Sequence, residues 1–157
     1  MRLARGSCTA LEIMKNEPTE ILHRGRDLID PIMTAHGFAW EQMWAGKSSG
    51  GLSDSGRYVR GDRSLELHFR HSLGLVTYHL GDLSLKHEEY MRHCAPLGAA
   101  QYPGFSDDPL DGFRHFAHDL TAYAKDFLAG TGNELRAAKA HAQTYANRSG
   151  FQKLRST

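Results

Sequence analysis

"SGRYVRGDRSLELHFRHSLGLVTYHL", Ser55 to Leu80, is the stretch on which the fold turns. Leu65, Leu67 and Phe69 alternate with Ser64, Glu66 and His68, and Val76, Tyr78 and Leu80 alternate with Leu75, Thr77 and His79. A period of two marks a strand with one buried and one solvated face. Gly61-Asp62 reads as a tight hairpin turn, because such turns need residues that tolerate positive φ. A second turn is expected at Leu73-Gly74. Connections this short join antiparallel neighbours, since parallel strands require a long crossover. Gly56–Arg60, Ser64–His71 and Leu75–Leu80 therefore read as consecutive strands of a meander.

The turns also predict a register. Gly61-Asp62 pairs Arg57 with Glu66. A turn centred on Leu73-Gly74 puts Leu67 opposite Leu80 and Phe69 opposite Tyr78 on the core face. It puts His68 opposite His79 and Arg70 opposite Thr77 on the other face. One surface is thus expected to carry Arg57, Glu66, His68, Arg70, Thr77 and His79. These six are the candidate binding residues, suited to an acidic partner or a small anion. A solvated face with a cross-strand ion pair is the plainer reading of the same residues. A divalent metal held by His68, His79 and Glu66 is a third, since paired imidazoles are good ligands. No catalytic residue, no metal ligand set and no cofactor is assigned.

Upstream, Phe38–Trp44 reads as a further strand, with Phe38, Trp40 and Trp44 on one face. "AGKSSGG", Ala45–Gly51, follows and resembles the end of a phosphate-binding loop. That loop needs G-x-x-x-x-G-K-[ST] between a strand and a helix, and its first glycine would fall on Glu41. A carboxylate there repels phosphate, and the Ser- and Gly-rich run after it does not favour a helix. The stretch is expected to be a long, adaptable connection between two strands.

Helices flank the sheet. The first spans about Glu17–His36, with Asn16 as its cap, Pro18 in its first turn, Pro31 kinking or splitting it near Asp30, and Gly37 ending it. Downstream, Ser84 is expected to cap a helix from Leu85 to Cys94, and Pro96–Gly104 reads as a loop. Asp108-Pro109 opens a long helix whose stripe is Leu110, Phe113, Phe116, Ala117, Leu120, Ala124, Phe127 and Leu128. Asn133 to about Tyr145 forms an alanine-rich helix. The expected fold is α+β: a four-stranded antiparallel meander with an N-terminal helix and two to three C-terminal helices packed on one face. Residues 14–146 form the single domain, with 1–13 and the basic 147–157 as flexible tails; Met14 is a candidate alternative start.

Composition bounds the function. At 157 residues with a net charge of +1, the chain shows no global attraction to nucleic acid or to an anionic membrane. No run approaches the length of a membrane span. Cys8 and Cys94 lack a C-x-x-C partner, so a reduced, cytoplasmic protein is expected. His87-Glu88 suggests H-E-x-x-H, but Met91 stands where the second histidine is needed, and an exposed helix face is expected there. His115, His118 and Asp119 are expected on the surface of the long helix. Cys94 beside His93 is read as a buried structural thiol rather than a nucleophile. "QYPGFSDDPLDGF", Gln101–Phe113, is an aromatic and acidic loop read as helix capping, with an interaction loop as the alternative.

"SGRYVRGDRSLELHFRHSLGLVTYHLGDLSLKHEEYM", with "YPGFSDDPLDGFRHFAHDL" further on, resembles a family of small, uncharacterised bacterial proteins over about Gly37–Leu128. In size and helix–sheet–helix layout such proteins are similar to immunity proteins of bacterial toxin systems. The resemblance brings no activity with it; the lack of a complete catalytic constellation, the single domain, the near-neutral charge and the polar surface point to a non-enzymatic module that binds another protein, and leave a homodimer open. A small ligand- or metal-binding protein, or an enzyme, using the His/Arg face is the alternative.

Overall fold

The computed structural model describes residues 17–104 and 106–154, with residues 150–154 as helical backbone only. The expectations for residues 1–13, for Cys8 and for the Asn16 cap lie outside the described residues.

The chain is α+β, with an antiparallel sheet between an N-terminal helix and C-terminal helices. Helix α1 spans Pro18–Ala35, and strands β1 (Ala39–Ser48), β2 (Gly51–Arg60), β3 (Arg63–Phe69), β4 (Leu73–Leu80) and β5 (Leu83–Lys86) follow. Then come α2 (His87–Cys94), α3 (Asp111–Tyr123), α4 (Lys125–Ala129) and α5 (Asn133–Leu154). The strands lie side by side in chain order.

The sheet has five strands where four were expected. Gly81 adopts φ +55°, as Gly61 adopts φ +57°, so Gly81-Asp82 repeats the Gly61-Asp62 turn and starts β5. Ser84 is therefore a strand residue opposite His79, not a helix cap.

The β2–β3 register is as predicted: Arg57 pairs with Glu66. The β3–β4 register is not. Leu67 pairs with Val76, Leu65 with Tyr78, Glu66 with Thr77, and Ser64 with His79. His68 faces Leu75 and Phe69 faces Leu73 across an irregularity, and the turn closes through Arg70 N–H donating to Ser72 O at 3.3 Å. The slip is four residues. An even slip changes every partner and leaves every side chain on its predicted face, so Leu67, Phe69, Val76, Tyr78 and Leu80 are all buried beneath the helices.

"AGKSSGG" is no loose connection. β1 runs through Ser48 and β2 restarts at Gly51, so the stretch is the tip of a long hairpin. Glu41 pairs with Arg57 along its stem. A bulge between Gln42 and Trp44 adds Met43 to β1 and turns Trp44 onto the face opposite Trp40. Trp44 is accordingly exposed, while Trp40 packs against the core.

Helix α1 continues through Pro31 without splitting. Gly37 ends it as expected: its φ is +80°, and Phe38 N–H reaches back to Met33 O at 3.0 Å. The long helix predicted from Asp108 is two helices, α3 and α4, broken at Ala124. The break accompanies a Phe127 ring set against Tyr78 and Phe38, at 4.8 and 5.6 Å between centroids. α5 runs on to Leu154, well past Tyr145.

Arg60 and Arg63, flanking the β2–β3 turn, tie sheet to helices. Arg60 donates to His36 O and Leu128 O, both at 2.6 Å. Arg63 donates to Asp126 O, Phe127 O and Gly130 O at 3.0, 2.6 and 2.6 Å. Apart from Asp126 O, which also accepts from Gly130 N–H, these are carbonyls that helix ends leave without intrahelical partners.

Candidate functional site

The helices leave the other face of the sheet uncovered among the described residues. Along β3 and β4 the core-facing positions are buried and the alternate ones partly exposed. The uncovered face carries three cross-strand rungs. The central one is Glu41–Arg57–Glu66–Thr77–Lys86. On one side lies Trp44–Ser55–His68–Leu75, and on the other Ala39–Val59–Ser64–His79–Ser84.

Five of the six predicted residues, Arg57, Glu66, His68, Thr77 and His79, do share this face. They combine differently from the prediction. Arg57 Nη2 pairs with Glu41 at 3.0 Å rather than with Glu66. Glu66 Oε2 instead lies 3.3 Å from His79 Nε2, close enough for an ion contact but without hydrogen-bond alignment. Arg70 turns to the hairpin tip and donates to Ser48 Oγ at 3.0 Å. His68 and His79 sit two rungs apart, because the register slip gives them Leu75 and Ser64 as partners. Among the described residues no group of three or more His, Cys, Asp or Glu is placed to hold a metal ion.

Sequence reading missed the apolar part of the face. Trp44 is 44% exposed and Leu75 54% exposed, at the two ends of one rung with Ser55 and His68 between them. Met43, at the bulge, is exposed as well. Large exposed apolar side chains on an open sheet favour contact with another surface.

A second polar group was expected at the surface and is buried. His87 and Asp119 have no exposed side-chain surface, and His87 Nε2 lies 3.2 Å from Asp119 Oδ2. Tyr78 Oη lies 2.9 Å from His87 Nδ1. Asp119 also accepts from the Gln101 and Tyr102 backbone N–H groups at 2.8 and 3.0 Å and from His118 Nδ1 at 3.0 Å. Burial is the largest single influence on Asp119 and opposes its charge. The hydrogen bonds from His87, Gln101, His118 and Tyr102 together prevail and hold its carboxyl at about 2. His115 does not pair with Asp119; its Nδ1 is buried, with no partner among the described residues.

Tyr78, His87 and Asp119 form a Tyr–His–Asp chain that spans β4, α2 and α3 and pins the 101–102 loop. With all three side chains buried, this chain organises the core and meets no solute. Cys94 is half-buried, and burial first, then the Glu134 carboxylate, pushes its thiol up to about 11. It is therefore not a thiolate nucleophile near neutral pH.

No protein-family model, no curated protein and no solved structure matches the chain. Among the described residues no helix is long and apolar enough to cross a membrane.

Proposed function

We propose that the protein is a non-enzymatic module that binds another protein through the open face of its sheet. The observation that carries this reading is the juxtaposition on that face of exposed Trp44 and Leu75 with the Glu41–Arg57 and Glu66–His79 pairs. A rung with exposed apolar ends beside compensated charges suits a flat protein surface, where aromatic residues anchor and charges set orientation. It does not suit a small solute, which needs a concave site. The helix–sheet–helix layout extends the reading to an immunity protein that neutralises a bacterial toxin, on likeness of architecture. No catalytic residue takes part in it.

Photo-crosslinking residues at positions 44 and 75, with position 97 on the helix side as the control, test the reading in the native host. The expected outcome is one protein adduct from 44 and 75 and none from 97. Charge reversal at Arg57 or Glu66 should weaken capture while leaving the fold intact, because exposed pairs contribute only about 0.2–1 kcal/mol. Adducts from 97 alone, or undiminished capture by both reversed variants, would overturn it.

A further inference from the structure

On the helix side of the sheet, α1 and the first hairpin enclose a cleft of about 190 Å³, lined by Thr19, Glu20, His23, Arg26, Gln42 and Asp54. Its floor is Asp54, a carboxylate only 2% exposed. Gln42 Nε2 donates to Asp54 Oδ1 and also lies 3.0 Å from Ser55 O. Among the described residues nothing donates to Asp54 Oδ2. Two carboxylate oxygens offer about four acceptor positions, and buried carboxylates are ordinarily paired or fully hydrogen-bonded. Asp54 Oδ2 is not sealed in the core, so it keeps surface on the cleft where a donor can reach it.

The opposite wall is cationic. Arg26 is held in place by Asp30, at 3.3 Å from Nη2, and by the Trp40 ring, 4.2 Å from its guanidinium carbon. Its Nε is buried with no partner among the described residues, so the fork is clamped but not saturated. His23 lies one helical turn before Arg26, and Glu20 one turn before that.

We infer that this cleft binds a small zwitterion of the α-amino acid class. The ammonium group rests on Asp54, with Glu20 as a second acceptor, and the carboxylate faces Arg26 and His23. A simple anion would meet two carboxylates, and a simple cation would meet the fixed guanidinium. A molecule carrying both charges satisfies both walls. The volume equals roughly six waters at liquid density, room for an amino acid with a short side chain. The site is separate from the open sheet face and does not depend on the function proposed for that face.

Calorimetric titration of the full chain with glycine, L-alanine and L-serine tests this, with ethylamine and acetate as half-molecule controls. The expected result is saturable binding of at least one amino acid, tighter than about 1 mM. Each half-molecule should bind about tenfold more weakly or worse. Asp54→Asn keeps an oxygen for Gln42 but loses the charge, and Glu20→Gln alters a rim position the fold does not need. Both should weaken binding, while Glu66→Gln on the open face should leave it unchanged. No binding by any of the three amino acids, equal binding of ethylamine, or wild-type affinity in both cleft variants would overturn the inference.

Discussion

Asp119 receives two backbone N–H groups and two imidazoles, and that set of donors fixes how protons sit along the buried chain. A carboxylate accepting from every side makes His87 Nε2 the donor toward Asp119, with the Tyr78 hydroxyl at the other ring nitrogen. Asp119→Asn puts an amide where four donors converge, so at least one N–H faces another. Urea denaturation should show a loss of roughly 2–4 kcal/mol. The pH dependence has a definite sign. The folded carboxyl titrates at about 2, below its ordinary range, so its contribution is present above the ordinary carboxylate value and disappears as pH falls toward about 2. Between pH about 4 and about 2 the stability of the parent should therefore fall more steeply than that of Asp119→Asn. The residue was half-legible in the sequence. Asp119 stands three positions after Phe116 and one before Leu120, within the apolar stripe, and that spacing signals burial. Its donors could not be read, because His87 lies 32 residues away and Tyr102 lies 17 away.

Among elements, α1 and α3 approach each other closely. Gly25 lies in the middle of α1, and a β-carbon built there would stand 2.4 Å from the Phe113 ring. Alanine is the better helix former by about 1 kcal/mol, so propensity alone favours Gly25→Ala. The fully buried Phe113 has little room to retreat, and steric cost should reverse the sign. A net destabilisation of about 1–3 kcal/mol, read as a lowered thermal midpoint, is expected; an unchanged or raised midpoint would show that α3 can move away. Strand faces were readable because alternation depends only on side-chain direction. Pairing was less so. Gly74 suggested the turn, but the chain turns at Arg70–Ser72, and Gly74 is not among the positive-φ glycines. The fifth strand carried the same Gly-Asp signal as the Gly61-Asp62 turn, but it ran straight into α2, and Ser84–Lys86 were absorbed into the helix pattern.

Taken whole, the molecule is a one-sided sheet, and its two edges are treated differently. α5 lies against β5 at one edge. β1 at the other pairs, among the described residues, with β2 alone, as a ten-residue outer strand. The α+β layering was legible because strands and helices segregate along the chain. The bulge was not: an extra residue in a strand breaks no composition rule, and reading straight through Met43 assigned Trp44 to the wrong face. That single residue governs how the protein behaves in a crowded solution. A regular outer strand of this length is a template on which copies of the same chain can stack, strand upon strand. Met43 puts the two halves of β1 out of phase, so a second copy meets a ladder that fits for half its length only. Removing Met43 would leave Trp44 on the open face opposite Ser55 and the hairpin otherwise intact. Light scattering should then show assembly that grows with concentration in the deletion variant, at concentrations where the parent stays unassembled. Equal scattering from the two would mean that something other than the bulge keeps this edge to itself.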